Sequence, residues 1–156
     1  MPQLLSKVNT VLCGANVLVK QNETVIKQKV VIPATPDEVY EAFMDAKVHS
    51  KFTGSKATVN PKVGGKFTAW DGYISGKNLE LERGKRIVQE WVSTDFPEGS
   101  PPSKFELTFR KVDKGTEITM VHSNFPVGQA KELEEGWTEW YWKPLKDYFK
   151  KQKTQT

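Results

Sequence analysis

The 156 residues carry 23 Lys and Arg against 19 Asp and Glu, a formal net charge of +4, and are 37% hydrophobic and 27% charged. That composition suits one globular domain, which at this length buries roughly 70% of the surface its unfolded chain exposes. The single cysteine, Cys13, excludes an intramolecular disulfide and fits a reducing, cytoplasmic compartment; no apolar run reaches the 18 residues of a membrane span, and the lysines are scattered singly rather than clustered among aromatics, so neither a membrane nor a nucleic acid is expected as partner.

Residues 1–22 form a poorly defined arm. Leu4, Leu5, Val8, Val11 and Leu12 have helical spacing, which Gly14 and Asn16 break. The basic stretch of a signal peptide is missing ahead of them. A domain over residues 23–152 follows, with a polar tail at 153–156.

In residues 23–33 lysines alternate with β-branched residues, the pattern of a strand with one wet face. Thr35, Pro36 and Glu38 then supply an N-cap, a first-turn proline and a capping box for a short helix over 36–45. A second short helix, 46–52, ends at Gly54. The middle of the chain reads as strands: 56–60, 66–70, 73–81 with Gly76 as a bulge, 86–94, 104–111 and 116–123. Turns fall at Gly64-Gly65, Asp71-Gly72, 83–85 and 113–115, and a loop at 97–102. From Gln129 the period becomes helical. Leu133, Trp137, Trp140, Tyr141, Leu145, Tyr148 and Phe149 make one apolar stripe on a helix of about 22 residues, roughly 33 Å long. Pro144 lies inside it and should kink it. A sheet cannot bury its apolar face alone. The expected fold is therefore α+β: a curved antiparallel sheet of about six strands wrapped around the long C-terminal helix.

Candidate catalytic groups give way to structural readings. His49, His122 and Cys13 have no metal-ligand spacing, and the two histidines are expected to face solvent or to be hydrogen-bonded within the structure. Gly64-Gly65-Lys66 lacks the spacing of a phosphate loop and opens a strand. Asp71 precedes Gly72 and reads as a turn residue before a general base. No catalytic residue, metal site or cofactor is assigned. The aromatic set Trp70, Trp91, Phe109, Trp137, Trp140 and Tyr141, with Met120, either lines a cavity between sheet and helix or fills the core. The loop from Phe96 through Pro97 and Glu98 is either a strand connection or a rigid partner contact with an exposed aromatic.

The ordered strings resemble one family. They run from Pro36-Asp37-Glu38-Val39-Tyr40 and Phe52-Thr53 through Gly64-Gly65-Lys66-Phe67, Trp70-Asp71-Gly72 and Ile74-Ser75-Gly76. Lys85-Arg86-Ile87-Val88 with Trp91, Phe96-Pro97-Glu98-Gly99, Leu107-Thr108-Phe109, Gly115-Thr116-Glu117 and Gly136-Trp137 follow, with Tyr141 and Trp142. Over about 125 positions this set is similar to the C-terminal domain of activators of heat-shock protein 90 ATPase, in the START-like, birch-pollen-allergen group. The resemblance implies a helix-grip fold. It also implies a non-catalytic, co-chaperone-type protein that binds heat-shock protein 90 and stimulates its ATPase. The turn at Gly64, Gly65 and Lys66 and the loop at Phe96, Pro97 and Glu98 are candidate contacts. Full co-chaperones of this kind have a further N-terminal domain, and residues 1–25 are too short to be one. A small apolar ligand in the sheet–helix cavity is the alternative function; an enzyme of the cyclase or hydrolase kind is a third.

Overall fold

The computed structural model describes residues 24–154. The arm expected over residues 1–22, with Cys13, and the last two residues of the tail lie outside them. β1 (Val25–Ile32) leads into α1 (Pro36–Met44) and α2 (Ala46–Thr53). Six strands follow: β2 (Thr58–Val59), β3 (Lys66–Ala69), β4 (Ile74–Glu82), β5 (Arg86–Ser93), β6 (Ser103–Val112) and β7 (Gly115–Ser123). The chain then enters α3 (Ala130–Trp137), a π-helical segment (Thr138–Trp142) and α4 (Lys143–Thr154). The strands form one antiparallel sheet of seven, in the order β1-β7-β6-β5-β4-β3-β2. The strand beyond the expected six is accounted for by β1, which pairs with β7 from Val25↔Ser123 to Ile32↔Thr116. This is the helix-grip arrangement.

Local chemistry explains the helix boundaries. The Thr35 hydroxyl accepts from the Glu38 N–H at 3.2 Å while Glu38 Oε1 accepts from the Thr35 N–H at 2.8 Å, a complete capping box. Asp45 ends α1 and caps α2, its Oδ1 accepting from the Lys47 N–H at 2.8 Å. Gly54 closes α2 in the left-handed region at φ 78°.

The strands bury alternate residues. In β6 these are Ser103, Phe105, Leu107 and Phe109, and in β7 Thr116, Ile118, Met120 and His122. Two local expectations need correction. Gly76 sits in regular pairing with Trp91; the register shift falls two residues later, between Asn78 and Glu80. The turn after β3 is a four-residue connection, 70–73, since Ala69 pairs with Ile74, rather than a two-residue Asp-Gly hairpin. Trp70, Asp71 and Gly72 all have positive φ, at 53°, 56° and 91°.

At the β6–β7 hairpin Gly115 has φ 137°, and a Cβ there would lie 2.1 Å from the Ile32 carbonyl oxygen. Both the dihedral and the close approach of β1 demand glycine. Gly115→Ala is expected to cost about 3 kcal/mol in urea denaturation, from backbone strain and displacement of β1. A loss under about 0.5 kcal/mol, the level of a neutral surface change, would show that the hairpin yields freely.

The long helix departs from expectation one turn before Pro144. The Lys143 N–H bonds to the Thr138 carbonyl, five residues back, so Thr138–Trp142 is a widened turn. It precedes the residue whose missing N–H and ring bulk disrupt α geometry. The extra residue rotates the face. Trp142 is buried and stacks against Trp137 at 5.7 Å and 25°, whereas Trp140, expected in the buried stripe, is 61% exposed. Gln28 of β1 holds both ends of this region. Its Nε2 donates to the Glu134 carbonyl at 2.8 Å, and its Oε1 accepts from Trp142 Nε1 at 2.7 Å.

Candidate functional site

A cavity of about 490 Å³ opens where the β3–β4 turn, β5 with its following loop, and the C-terminal helix meet. Trp70, Tyr73 and Ile74 come from the turn side, and Trp91, Ser93 and Asp95 from the end of β5. Gln129, Glu132, Leu133, Gly136, Trp137, Trp140 and Tyr141 come from the helix and the residue before it. The volume lies within the range typical of small-ligand pockets, roughly 300–1,000 Å³.

The aromatic wall is built by two backbone irregularities. The left-handed conformation of Trp70 is costly for a bulky residue, on the order of 1–3 kcal/mol, and persists only where surroundings hold it. Here the indole stands edge-on to Trp140 at 5.9 Å and to Tyr141 at 6.4 Å. The π-helical turn sets Tyr141 inward and Trp140 outward at the rim. At the other wall the Tyr73 hydroxyl donates to Asp95 Oδ2, and the Asp95 N–H donates to Ser93 Oγ at 3.0 Å. Burial first, then its bond to Asp95 and the charges of Asp95 and Glu132, hold the Tyr73 phenol above its ordinary value.

The aromatics expected as one set separate. Trp70, Trp91, Trp137, Trp140 and Tyr141 line the cavity, while Phe109 and Met120 are core residues outside it. Phe96 is not exposed. A turn from Ser93 folds it back to 8% exposure against Trp91 at 5.8 Å, so it cannot anchor a partner. Pro97 and Glu98 on the same loop are exposed. Gly64 and Lys66 are exposed, but Gly65 is buried, where a Cβ would meet the Asn60 carbonyl oxygen at 2.2 Å. That turn is pinned by Asn78, whose Nδ2 donates to the Asn60 and Lys62 carbonyls at 3.0 and 3.1 Å.

Behind the cavity lie two buried histidines. The Ser103 hydroxyl donates to the Trp91 carbonyl at 2.6 Å, so at the 2.8 Å contact it accepts from His122 Nε2–H. His122 Nδ1 then accepts from the Trp137 indole N–H at 3.1 Å. Every polar atom is used, and the ring is held neutral: burial takes its pKa down to about 3. This Ser–His pair is sealed from solvent, has no carboxylate behind it and has its hydroxyl proton already committed, so it lacks the geometry of a nucleophilic dyad. His49 donates from Nδ1 to the Phe43 carbonyl at 3.4 Å and accepts at Nε2 from the Tyr141 hydroxyl at 3.0 Å. Burial lowers its pKa to about 4, against the opposing pull of the Phe43 carbonyl. Burial raises the Tyr141 phenol, with the Trp70 indole acting the other way. Both histidines are thus buried members of hydrogen-bonded pairs. Among the described residues no three His, Cys, Asp or Glu side chains converge to hold a metal ion, and no helix is long and apolar enough to cross a membrane.

Of the two readings the sequence allows for His122, the hydrogen-bonded structural one holds, while Ser103, Asn78 and Gln129 are buried polar groups outside the sequence expectations. For Ser103, His122 and Asn78 the sequence carries a signal: each occupies an inward position in strand alternation, with Phe105, Met120 and Ile74 as same-face neighbours.

The family model described as activator of Hsp90 ATPase homolog 1-like protein matches residues 33–150. The human activator of 90 kDa heat shock protein ATPase homolog 1 is 31% identical over 115 residues, covering 74% of this chain and 34% of that protein. The corresponding homolog from Dictyostelium discoideum is 29% identical over 130 residues, covering 83% and 34%. The chain thus spans about a third of the length of these curated relatives. A solved HSP90 activator from Plasmodium falciparum superposes with a TM-score of 0.69 at 28% identity, over 76% of this chain and 90% of that one. These relatives are named as activators of an ATPase rather than as catalysts. The chain belongs to the activator of Hsp90 ATPase homolog 1-like family.

Proposed function

We propose that this chain is a non-catalytic, cytoplasmic co-chaperone that binds heat-shock protein 90 and stimulates its ATPase. The family match over residues 33–150 carries this reading. The sealed Ser103–His122 pair supports its non-catalytic part, since its polar groups are consumed within the fold. A partner of this kind acts by binding the hydrolysis-competent arrangement of the chaperone more tightly than the others, and its effect is bounded by that difference. Exposed Lys66, at the start of β3, and exposed Pro97 and Glu98, on the loop after β5, are the positions such a contact would use.

The test is ATP hydrolysis by the chaperone of the same organism with increasing amounts of this protein. A saturable rise in rate is expected, reduced by charge reversal at Lys66 or Glu98. A rate that stays flat up to excess protein, with no complex formed, would exclude the reading.

The cavity favours a second reading, a binder of small ligands. Native mass spectrometry of the protein against a panel of apolar compounds tests it, and an empty cleft throughout would remove it.

A further inference from the structure

The cavity walls are aromatic, and its charged groups are of one sign. In a chain of net charge +4, the cleft is lined by two carboxylates, Asp95 and Glu132, and by no lysine, arginine or histidine. Among the described residues neither carboxylate has an ion-pair partner. A third group is independent of these. Gln129 is only 6% exposed and lines the cleft, yet its side-chain amide makes no hydrogen bond to another described residue. Its side-chain atoms are not sealed in the core either, so the amide keeps some access on a residue that lines the cleft. Buried amides are ordinarily paired, and an unpaired one on a cavity-lining residue leaves a place for a polar ligand atom.

The aromatic geometry points the same way. Trp70 and Trp140 stand nearly perpendicular, at 79° with centroids 5.9 Å apart, making a corner at the rim. Perpendicular electron-rich faces beside carboxylates are the chemistry that holds an organic cation, with the ring faces taking the charge and the cleft taking the apolar body. A fatty acid or other anion would meet Asp95 and Glu132 with repulsion.

We infer that this cleft binds a small organic cation, an alkylated ammonium group carried on an apolar or aromatic body, with Trp70 and Trp140 caging the charge and Asp95 and Glu132 balancing it. The inference rests on reading the cleft as a ligand site and is independent of the chaperone reading.

Benzyltrimethylammonium is the probe, followed by the indole N–H resonances of the intact protein, with neopentylbenzene as its neutral isostere of the same shape. In a plain apolar pocket the neutral compound binds better, because the cation gives up more hydration. Here the cation is expected to bind at least about tenfold more tightly, and to weaken with added salt. Asp95→Asn and Glu132→Gln are each expected to lower its affinity about fivefold while leaving that of the neutral isostere unchanged. Both sites are exposed, and an unchanged indole spectrum confirms that the variants fold. Tighter binding of neopentylbenzene would overturn the cation inference and leave a neutral-ligand site. Cation affinity indifferent to both substitutions would also overturn it. Binding of neither compound would remove the inference together with the ligand-site reading.

Discussion

Lowering the pH from 7 to 4 is expected to cost the fold about 6 kcal/mol, roughly 3 from each buried histidine. His122 titrates at about 3 in the folded chain and His49 at about 4, both depressed by burial, against about 6.5 when unfolded. The unfolded chain therefore binds up to two more protons than the folded one within this interval. The stabilisation is complete above the unfolded value. It is lost as pH falls through 6.5 toward 4 and then 3, and below those values no further loss comes from these rings.

The structure says why neither ring accepts a proton in place. Burial opposes a charge on both rings, and a proton on His122 Nδ1 would in addition face the Trp137 indole N–H, which can only donate. Urea denaturation at pH 7, 5 and 4 measures the loss, and the ring-proton resonances identify its source. Resonances that stay constant down to pH 5 are expected. Rings that titrate near 6.5, or a stability flat between pH 6.5 and 4, would contradict it. His122→Gln should lower stability at pH 7 and flatten the pH slope by one proton.

Trp137→Ala is expected to remove about 4 kcal/mol, a large part of the 5–15 typical of a domain. The indole is the centre of the aromatic core. It stacks on Phe105 at 4.4 Å and 6°, and packs against Trp142 at 5.7 Å, Trp91 at 5.6 Å and Tyr141 at 4.7 Å. It also supplies the donor for His122 Nδ1. Truncation leaves a cavity and a buried acceptor without a partner, two costs that add. Trp137→Phe keeps most of the packing and orphans the same nitrogen, so about 2 kcal/mol is expected there. Urea midpoints separate the two. An alanine variant within about 1 kcal/mol of the parent would show that the core around it collapses without penalty.

How much of this was legible beforehand differs by element. The capping box at Thr35 and Glu38, the alternation in β6 and β7 and the period change at Gln129 are local patterns, and each appears where the residues place it. The cavity is another matter. Its walls come from a turn near residue 70, a strand end near 93 and a helix near 137, which are far apart in sequence. Trp91, Trp137 and Tyr141 have the same composition and spacing whether they fill a core or edge a cleft. Phe96 misleads for the same reason: a loop of proline, glycine and charge looks exposed, and only the turn at Ser93 returns the ring to Trp91.

The π-helical turn marks the boundary most clearly. From sequence, Trp140 belongs to the apolar stripe at α spacing and Trp142 does not. One i→i+5 bond reverses them, because it inserts about 100° of rotation; Pro144 signals a disruption but not this change of face. That bond is supported by Gln28, more than a hundred residues upstream, and by Pro144 just after it. Residue type and period thus determined the elements, their order and the single sheet–helix layer pair, since burial of alternate or helical faces is decided over a few neighbouring residues. The tertiary structure alone decided which aromatics cover the core and which edge the cleft, and which histidine faces which donor, because those depend on a widened turn, a left-handed tryptophan and contacts across the whole chain.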